Sequence, residues 1–501
     1  MVKTTVRLMV RSLLATALLH SAGPALAQDS TLGRQDQRIA LPDLGNSARH
    51  VLSEGEKEEY ARAMLMQMRA YEVMVEDPLI ADYFADMGYQ LVAHSDQPEQ
   101  HFHFVVLDEK RVNAFAAPGG VVALHSGLIL AAEDEHEVAG VLAHEIAHIT
   151  QLHMFRALEN TQNMTIPIAL GMLALVLAGG GGGEAISGAL AGGAALQQQA
   201  WINFTRANEA EADRIGIVTL TQAGYDPMGM AEFFERLNRI NRPSGEAPPE
   251  FLRTHPVTTS RIAEAKARAA NMERPETRDG LNFYLAQARL RALYEKEAGP
   301  AIYWFRDALE DPATPSQIEA HQYGLSIALQ RDRQYAEAEQ LLERLLAQRP
   351  NHLPFLLQKA SLDLAKGQSE QALASLAELH RGFPGNHAIA TQYSEALLLD
   401  DDPDQARIAA TILREQLQRR DDEPRLYRLL ARASALSGDD FNASLALAEY
   451  YFRSGEVTEA LQQLDMVIAR QDLSYYQRSS TDARLEEMRV IASQFDHSEA
   501  D

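Results

Sequence analysis

In the second half of the chain, alanine and proline return at a fixed interval. Ala338, Ala372 and Ala406 are 34 residues apart, and so are Pro350 and Pro384. Between them the apolar residues fall at helical spacing, and Gly367, Gly438 and Gly455 fall where turns are expected. A period of this length holds one pair of antiparallel helices. Small residues let the paired helices approach closely, and each pair can bury its apolar face only against its neighbours. The residues from about 280 to 490 are therefore committed to a stack of helices.

A period of 34 is that of tetratricopeptide repeats. The clearest unit runs from Leu325 to Pro350, with Tyr335, Ala338, Leu342 and Leu345 at consensus-like positions. Ala301 and Ala460 suggest degenerate flanking units, and the spacing breaks after Ala406. The region before 280 reads differently. Residues 50–92 are helical in pattern, with Met64, Leu65, Met68 and Tyr71 on one face. Short strand-like runs follow at His101–Leu107, Val112–Ala117 and Val121–Leu124, the last two joined by Pro118-Gly119-Gly120. A helix begins near Ala132 and runs to about His153, and another covers about Asn203 to Ala223, closed by Gly224. The whole is mainly α with a small β-sheet: one domain over 28–275 followed by an α-solenoid over 280–490.

The formal charge is -24, which disfavours nucleic acid and anionic membrane surfaces, since both need a positive footprint. Lys3, Arg7 and Arg11 precede a short apolar stretch, Leu13–Leu19, and Ala25-Leu26-Ala27 fits a small-x-small cleavage site. Residues 1–27 thus read as a secretory signal, and their removal would leave -27 with no transmembrane span. The chain has no cysteine, so disulfides and zinc–thiolate sites are both excluded.

Chemistry concentrates in His144-Glu145-Ile146-Ala147-His148. On a helix, residues four apart are separated by about 40° in projection, so His144 and His148 can grip one metal ion while Glu145 stands beside it as a base. A catalytic zinc keeps three protein ligands and one open position. The third ligand is sought in Asn208-Glu209-Ala210-Glu211-Ala212-Asp213, where Glu209 and Asp213 share a face and Glu211 points about 200° away. Spacing does not choose between Glu209 and Asp213. His136 is a poorer candidate, as is His153, which lies about 180° from His144 on the same helix and so packs or hydrogen-bonds structurally.

These residues resemble a known family. Asn113-Ala114-Phe115-Ala116 with Pro118-Gly119-Gly120, then His144–His148, Glu209–Asp213, and His255-Pro256 followed by Arg261, are similar to the metallopeptidases that include HtpX and the CAAX prenyl endopeptidases. The resemblance implies a zincin-type metallopeptidase domain over 28–275 with one zinc ion per chain, Glu209 as third ligand and Asp213 orienting a ligating histidine. The layout of leader, peptidase and repeats implies a periplasmic endopeptidase. Its substrates would be unfolded or misassembled envelope and outer-membrane proteins, and its repeats would dock the outer-membrane assembly machinery and assist assembly. A protein of another class, a chaperone or scaffold with a largely silent zinc site, has the same layout, but the intact Glu145 argues against it.

Two features remain open at this level. His255 precedes a proline, which disfavours helical geometry, so it sits on a loop that can face a cleft. It is a donor to a developing oxyanion, a fourth zinc ligand that silences the enzyme, or a structural turn residue. Ile166–Ala195, apolar and then rich in glycine, reads as a lid over the site.

Overall fold

The computed structural model describes residues 53–496, apart from 72, 155, 157–194, 242–248, 276–278 and 312. The leader and the lid segment, except Ala195, lie outside the described residues. Helix α1 (Glu54–Ala70) starts at a capping box made by Ser53 and Glu56. Helix α2 (Pro78–Ala93) starts at Asp77, whose carboxylate accepts from the amides of Leu79 and Ile80, with Pro78 in the first turn. That cap and proline break what the periodicity suggested was continuous helix over 50–92.

Strands β1 (His103–Leu107), β2 (Ala114–Ala117) and β3 (Val121–His125) form one sheet in the order β1-β3-β2. β1 pairs parallel to β3 with His103 opposite Val121, and β2 pairs antiparallel with Ala114 opposite Leu124. β2 is thus an edge strand. One sheet face packs on Tyr60, Met64, Leu65 and Met68 of α1. After a short helix α3 (Ser126–Ala131) comes α4 (Glu135–Thr150), capped by Asp134, which accepts from the amides of His136 and Glu137. Helices α5 (Ala195–Gln222) and α6 (Met228–Asn241) close around α4. Two glycines set that distance. A Cβ on Gly140 would stand 2.8 Å from the Met230 backbone, and one on Gly216 3.1 Å from that of Ala143. A short α7 (Glu250–Thr254) and α8 (Thr259–Ala269) complete this part.

Paired helices follow: α9 (Leu281–Tyr294) with α10 (Ala298–Ala308), α11 (Pro315–Arg331) with α12 (Tyr335–Gln348), and α13 (Leu353–Ala365) with α14 (Ser369–Gly382). Then come α15 (His387–Leu397) with α16 (Pro403–Leu417), α17 (Pro424–Leu436) with α18 (Asp440–Arg453), and α19 (Val457–Ile468) with α20 (Tyr475–Asp496). The period has a backbone cause. Arg333, Gly367, Asp401, Gly438 and Gly455 all take a positive φ, between 52° and 84°. Each precedes by five residues an alanine of the next helix: Ala338, Ala372, Ala406, Ala443 and Ala460. Four of these turns close with the six-to-one bond of a Schellman cap, such as Gln368 N to Asp363 O at 2.8 Å. From Asp401 to Gly438 the step is 37, and from Gly438 to Gly455 only 17, so the period breaks after Ala406.

The two regions share packing. Phe283, Ala286 and Leu290 of α9 belong to the core that holds Val138, Leu142 and Ile146 of α4. Leu281, Leu285 and Ala292, on the other side of α9, belong to the first repeat's core. Asp77 pairs with both arms of the Arg289 guanidinium at 2.7 and 2.8 Å. Asp82 meets His387 at 3.1 Å and Arg420 at 3.0 Å, and Arg425 donates to the Glu76 carbonyl at 2.9 Å. Part of the repeat surface expected to face a partner is therefore occupied by residues 76–82 of this same chain. Among the described residues, no helix is long and apolar enough to cross a membrane.

Candidate metal centre

Helix α4 delivers His144, Glu145 and His148 from one buried face, because the cap at Asp134 and the glycine contact at Gly140 fix its axis and height. Helix α5 brings Glu209 and Asp213 opposite them, and the loop after α7 brings His255. His255 is non-helical (φ -120°, ψ 84°), since the following proline disfavours the helical region, and its ring stacks on Phe251 at 4.8 Å.

The donor atoms converge. His144 Nε2 lies 3.1 Å from His148 Nε2, 3.4 Å from His255 Nδ1 and 3.5 Å from Glu209 Oε2. Glu209 Oε1 lies 3.5 Å from His148 Nε2 and 3.1 Å from His255 Nδ1. One ligand atom from each of these four residues falls within 4.8 Å of all the others. Tetrahedral zinc with bonds near 2.0–2.1 Å puts its ligand atoms about 3.3–3.4 Å apart, and the separations here of 3.1–3.5 Å bracket that value. Glu145 stands beside this group, 1% exposed. Its Oε1 accepts no hydrogen bond from the protein and lies 3.5 Å from His255 Nε2. A donor set of imidazoles and a carboxylate, beside a buried carboxylate oxygen that accepts no hydrogen bond, fits a zinc ion.

Behind the donors runs a charged support. Asp213 Oδ1 lies 3.0 Å from His144 Nδ1. Arg261 of α8 clamps Asp213 by two bonds of 2.7 and 2.8 Å and reaches Glu209 Oε2 at 2.8 Å. These charges set the titration of the protein alone. Burial opposes a charge on His144, but the Asp213 and Glu209 carboxylates outweigh it and push its pKa up to about 9. Burial and the neighbouring His144 charge hold His148 well below the usual range. Burial would raise Glu209, yet His255 and His144 hold it well below an ordinary carboxylate. Asp213, likewise buried, is lowered by Arg261 and His144.

The structure thus brings His144, Glu145, His148, Glu209, Asp213 and His255 into one cluster. His136 is not among them: its ring sits at the start of α4, by the Asp226 amide. His153 stands elsewhere than the continuous-helix reading placed it. α4 ends at Thr150, and His153 Nδ1 comes to 2.9 Å from His148 Nδ1. Burial pushes the pKa of His153 down to about 4. Glu211, which projects away from the centre, meets His153 Nε2 at 3.2 Å and Arg156 at 3.0 Å. Spacing showed none of these three contacts, because all depend on a turn after Thr150.

A helix-borne His-Glu-x-x-His with an acidic partner on a second helix defines a metallopeptidase, and the profile of Peptidase family M48 matches residues 78–269. The chain is 33% identical to the beta-barrel assembly-enhancing protease of Yersinia pestis, over 97% of this chain and 99% of the relative. It is 33% identical to the protein of the same name from Escherichia coli K12, over 97% of each. It is 30% identical to the mitochondrial metalloendopeptidase OMA1 of Schizosaccharomyces pombe, over 39% of this chain and 58% of that one. It belongs to the family of beta-barrel assembly-enhancing proteases.

Proposed function

We propose that this protein is a periplasmic zinc endopeptidase that removes misassembled outer-membrane proteins, with His144, His148 and Glu209 holding the metal. The observation that carries this reading is the convergence of four donor atoms within 4.8 Å of one another, with a buried Glu145 oxygen beside them that accepts no hydrogen bond. The ion, when bound, supplies a Lewis acid that acidifies water and polarises the scissile carbonyl. Glu145 takes the proton of the attacking water and returns one to the leaving amine. Asp213, fixed by Arg261, accepts from His144 Nδ1, so that Nε2 keeps its lone pair for the metal. The edge strand β2 offers main-chain groups to an extended substrate, so that only an unfolded segment can be presented.

His255 is the fourth ligand of a resting state. Its Nδ1 lies among the donor atoms, 3.1 Å from Glu209 Oε1 and 3.4 Å from His144 Nε2, where the open position of a catalytic site belongs. Withdrawal of the loop 255–258 would open that position. The leader-like N-terminus and the names of the relatives support the periplasmic assignment and the envelope clients. The repeats, beyond the part covered by residues 76–82, provide the surface for the assembly machinery.

The test combines metal content with proteolysis of an unfolded protein. Glu145→Gln should keep one zinc per chain and lose cleavage; Glu209→Gln should bind zinc more weakly. Full zinc content in the double variant His144→Ala/His148→Ala refutes the assignment.

A further inference from the structure

After α4 the chain turns at Leu152, whose φ of 56° lies in the left-handed region that residues with a side chain rarely adopt. The turn folds His153 back onto α4, where it is 4% exposed. One ring nitrogen, Nδ1, then lies 2.9 Å from His148 Nδ1, and the other, Nε2, lies 3.2 Å from Glu211 Oε2. Arg156 Nη2 donates to that same Glu211 oxygen at 3.0 Å.

With both imidazoles neutral, only one placement of the protons satisfies these contacts. A carboxylate accepts, so His153 must carry its hydrogen on Nε2 and donate it to Glu211. His153 Nδ1 is then a lone pair, and the facing nitrogen of His148 must be the donor. With its hydrogen on Nδ1, His148 keeps its Nε2 lone pair pointed at His144 and Glu209. The opposite tautomer of His153 would set a lone pair against the carboxylate and deny His148 its partner.

We propose that His153, braced by Glu211 and Arg156, is a positioning residue of the metal centre, which fixes the tautomer and ring orientation of His148. This rests on the reading of His148 as a zinc ligand. The two histidines of α4 then have separate supports, both on α5: Asp213 directly behind His144, and Glu211 through His153 behind His148. The left-handed turn at Leu152 has a purpose in this arrangement, because a helix continued to His153 would carry the ring to the far side.

The test measures zinc affinity of the full chain by competition with a chromophoric chelator, beside the absorption spectrum of the cobalt-substituted protein. His153→Ala should weaken zinc binding about 10–100-fold, the usual effect of removing the partner of a ligating histidine. It should also shift the cobalt bands. His153→Asn, whose side-chain oxygen can take the place of Nδ1 as acceptor, should recover most of the affinity, and Glu211→Gln should fall between. If His153→Ala fails to fold, the comparison of His153→Asn with Glu211→Gln decides. A wild-type chain that binds no zinc, or one that keeps it in His144→Ala/His148→Ala, refutes the reading beneath. Wild-type binding with His153→Ala and Glu211→Gln unaltered in affinity and spectrum overturns the inference itself, as does His153→Asn no better than His153→Ala.

Discussion

The acid–base state of His144 predicts how zinc affinity must follow pH. In the protein alone its pKa stands at about 9, and binding a metal through Nε2 expels the proton held there. Below pH 9 the apparent affinity therefore falls about tenfold per unit, and at pH 7 it is roughly a hundredfold below its plateau. A histidine near the ordinary 6.5 would reach its plateau by about pH 7.5. Chelator competition from pH 6 to 10, calibrated for the chelator at each pH, should show a slope of one in log K between 7 and 9. Asp213→Asn removes the carboxylate 3.0 Å from Nδ1. Its profile should flatten between 7 and 9, with the break moved towards the ordinary range. Stability of the metal-free protein runs the other way. A folded pKa above the unfolded one contributes stability that is complete below about 6.5 and lost as pH rises through about 9. A wild-type affinity that is flat from 7 to 9, or an Asp213→Asn profile that keeps the slope, refutes this account.

Other consequences are simpler to test. His255→Ala should raise cleavage of a short peptide about 5–150-fold, the usual range of a coupling between two states, whereas loss of an oxyanion donor would lower it about 100–1000-fold. Arg289→Met removes the two-bond partner of the partly buried Asp77 carboxylate, which keeps the Leu79 and Ile80 amides, and should cost about 1.5–3 kcal/mol in chemical denaturation. Phe283→Ala empties a fully buried site that faces Phe84 and should cost about 3–5 kcal/mol, with peptidase and repeats melting in one transition; separate transitions would refute a shared core.

Where residue type alone determines the structure, the sequence could be read. His144, Glu145 and His148 need only a helix to converge, and the alanines and glycines of the repeats mark close approach and left-handed turns. Glu209 and Asp213 were legible as a shared face but not as separate roles, because the roles depend on which carboxylate Arg261 clamps. His153 was misplaced because leucine gives no sign of a left-handed turn; Glu211 was read as pointing away from the centre, as it does, but its contact with His153 could not be seen without that turn. The break between α1 and α2 was marked by Asp77-Pro78, a capping pair that the apolar periodicity on either side obscured. The double use of α9 left no mark, since a helix apolar on two sides looks like any repeat helix.

That shared helix also sets the order of assembly. The chain is made from its N-terminus, so the metal-binding residues up to His255 emerge before Phe283, Ala286 and Leu290, which close the core behind α4. A fragment ending before α9 holds every donor atom but not the packing that aligns them. A chain truncated before α9 should therefore cleave an unfolded protein more slowly than the full chain, because nothing closes the core behind α4.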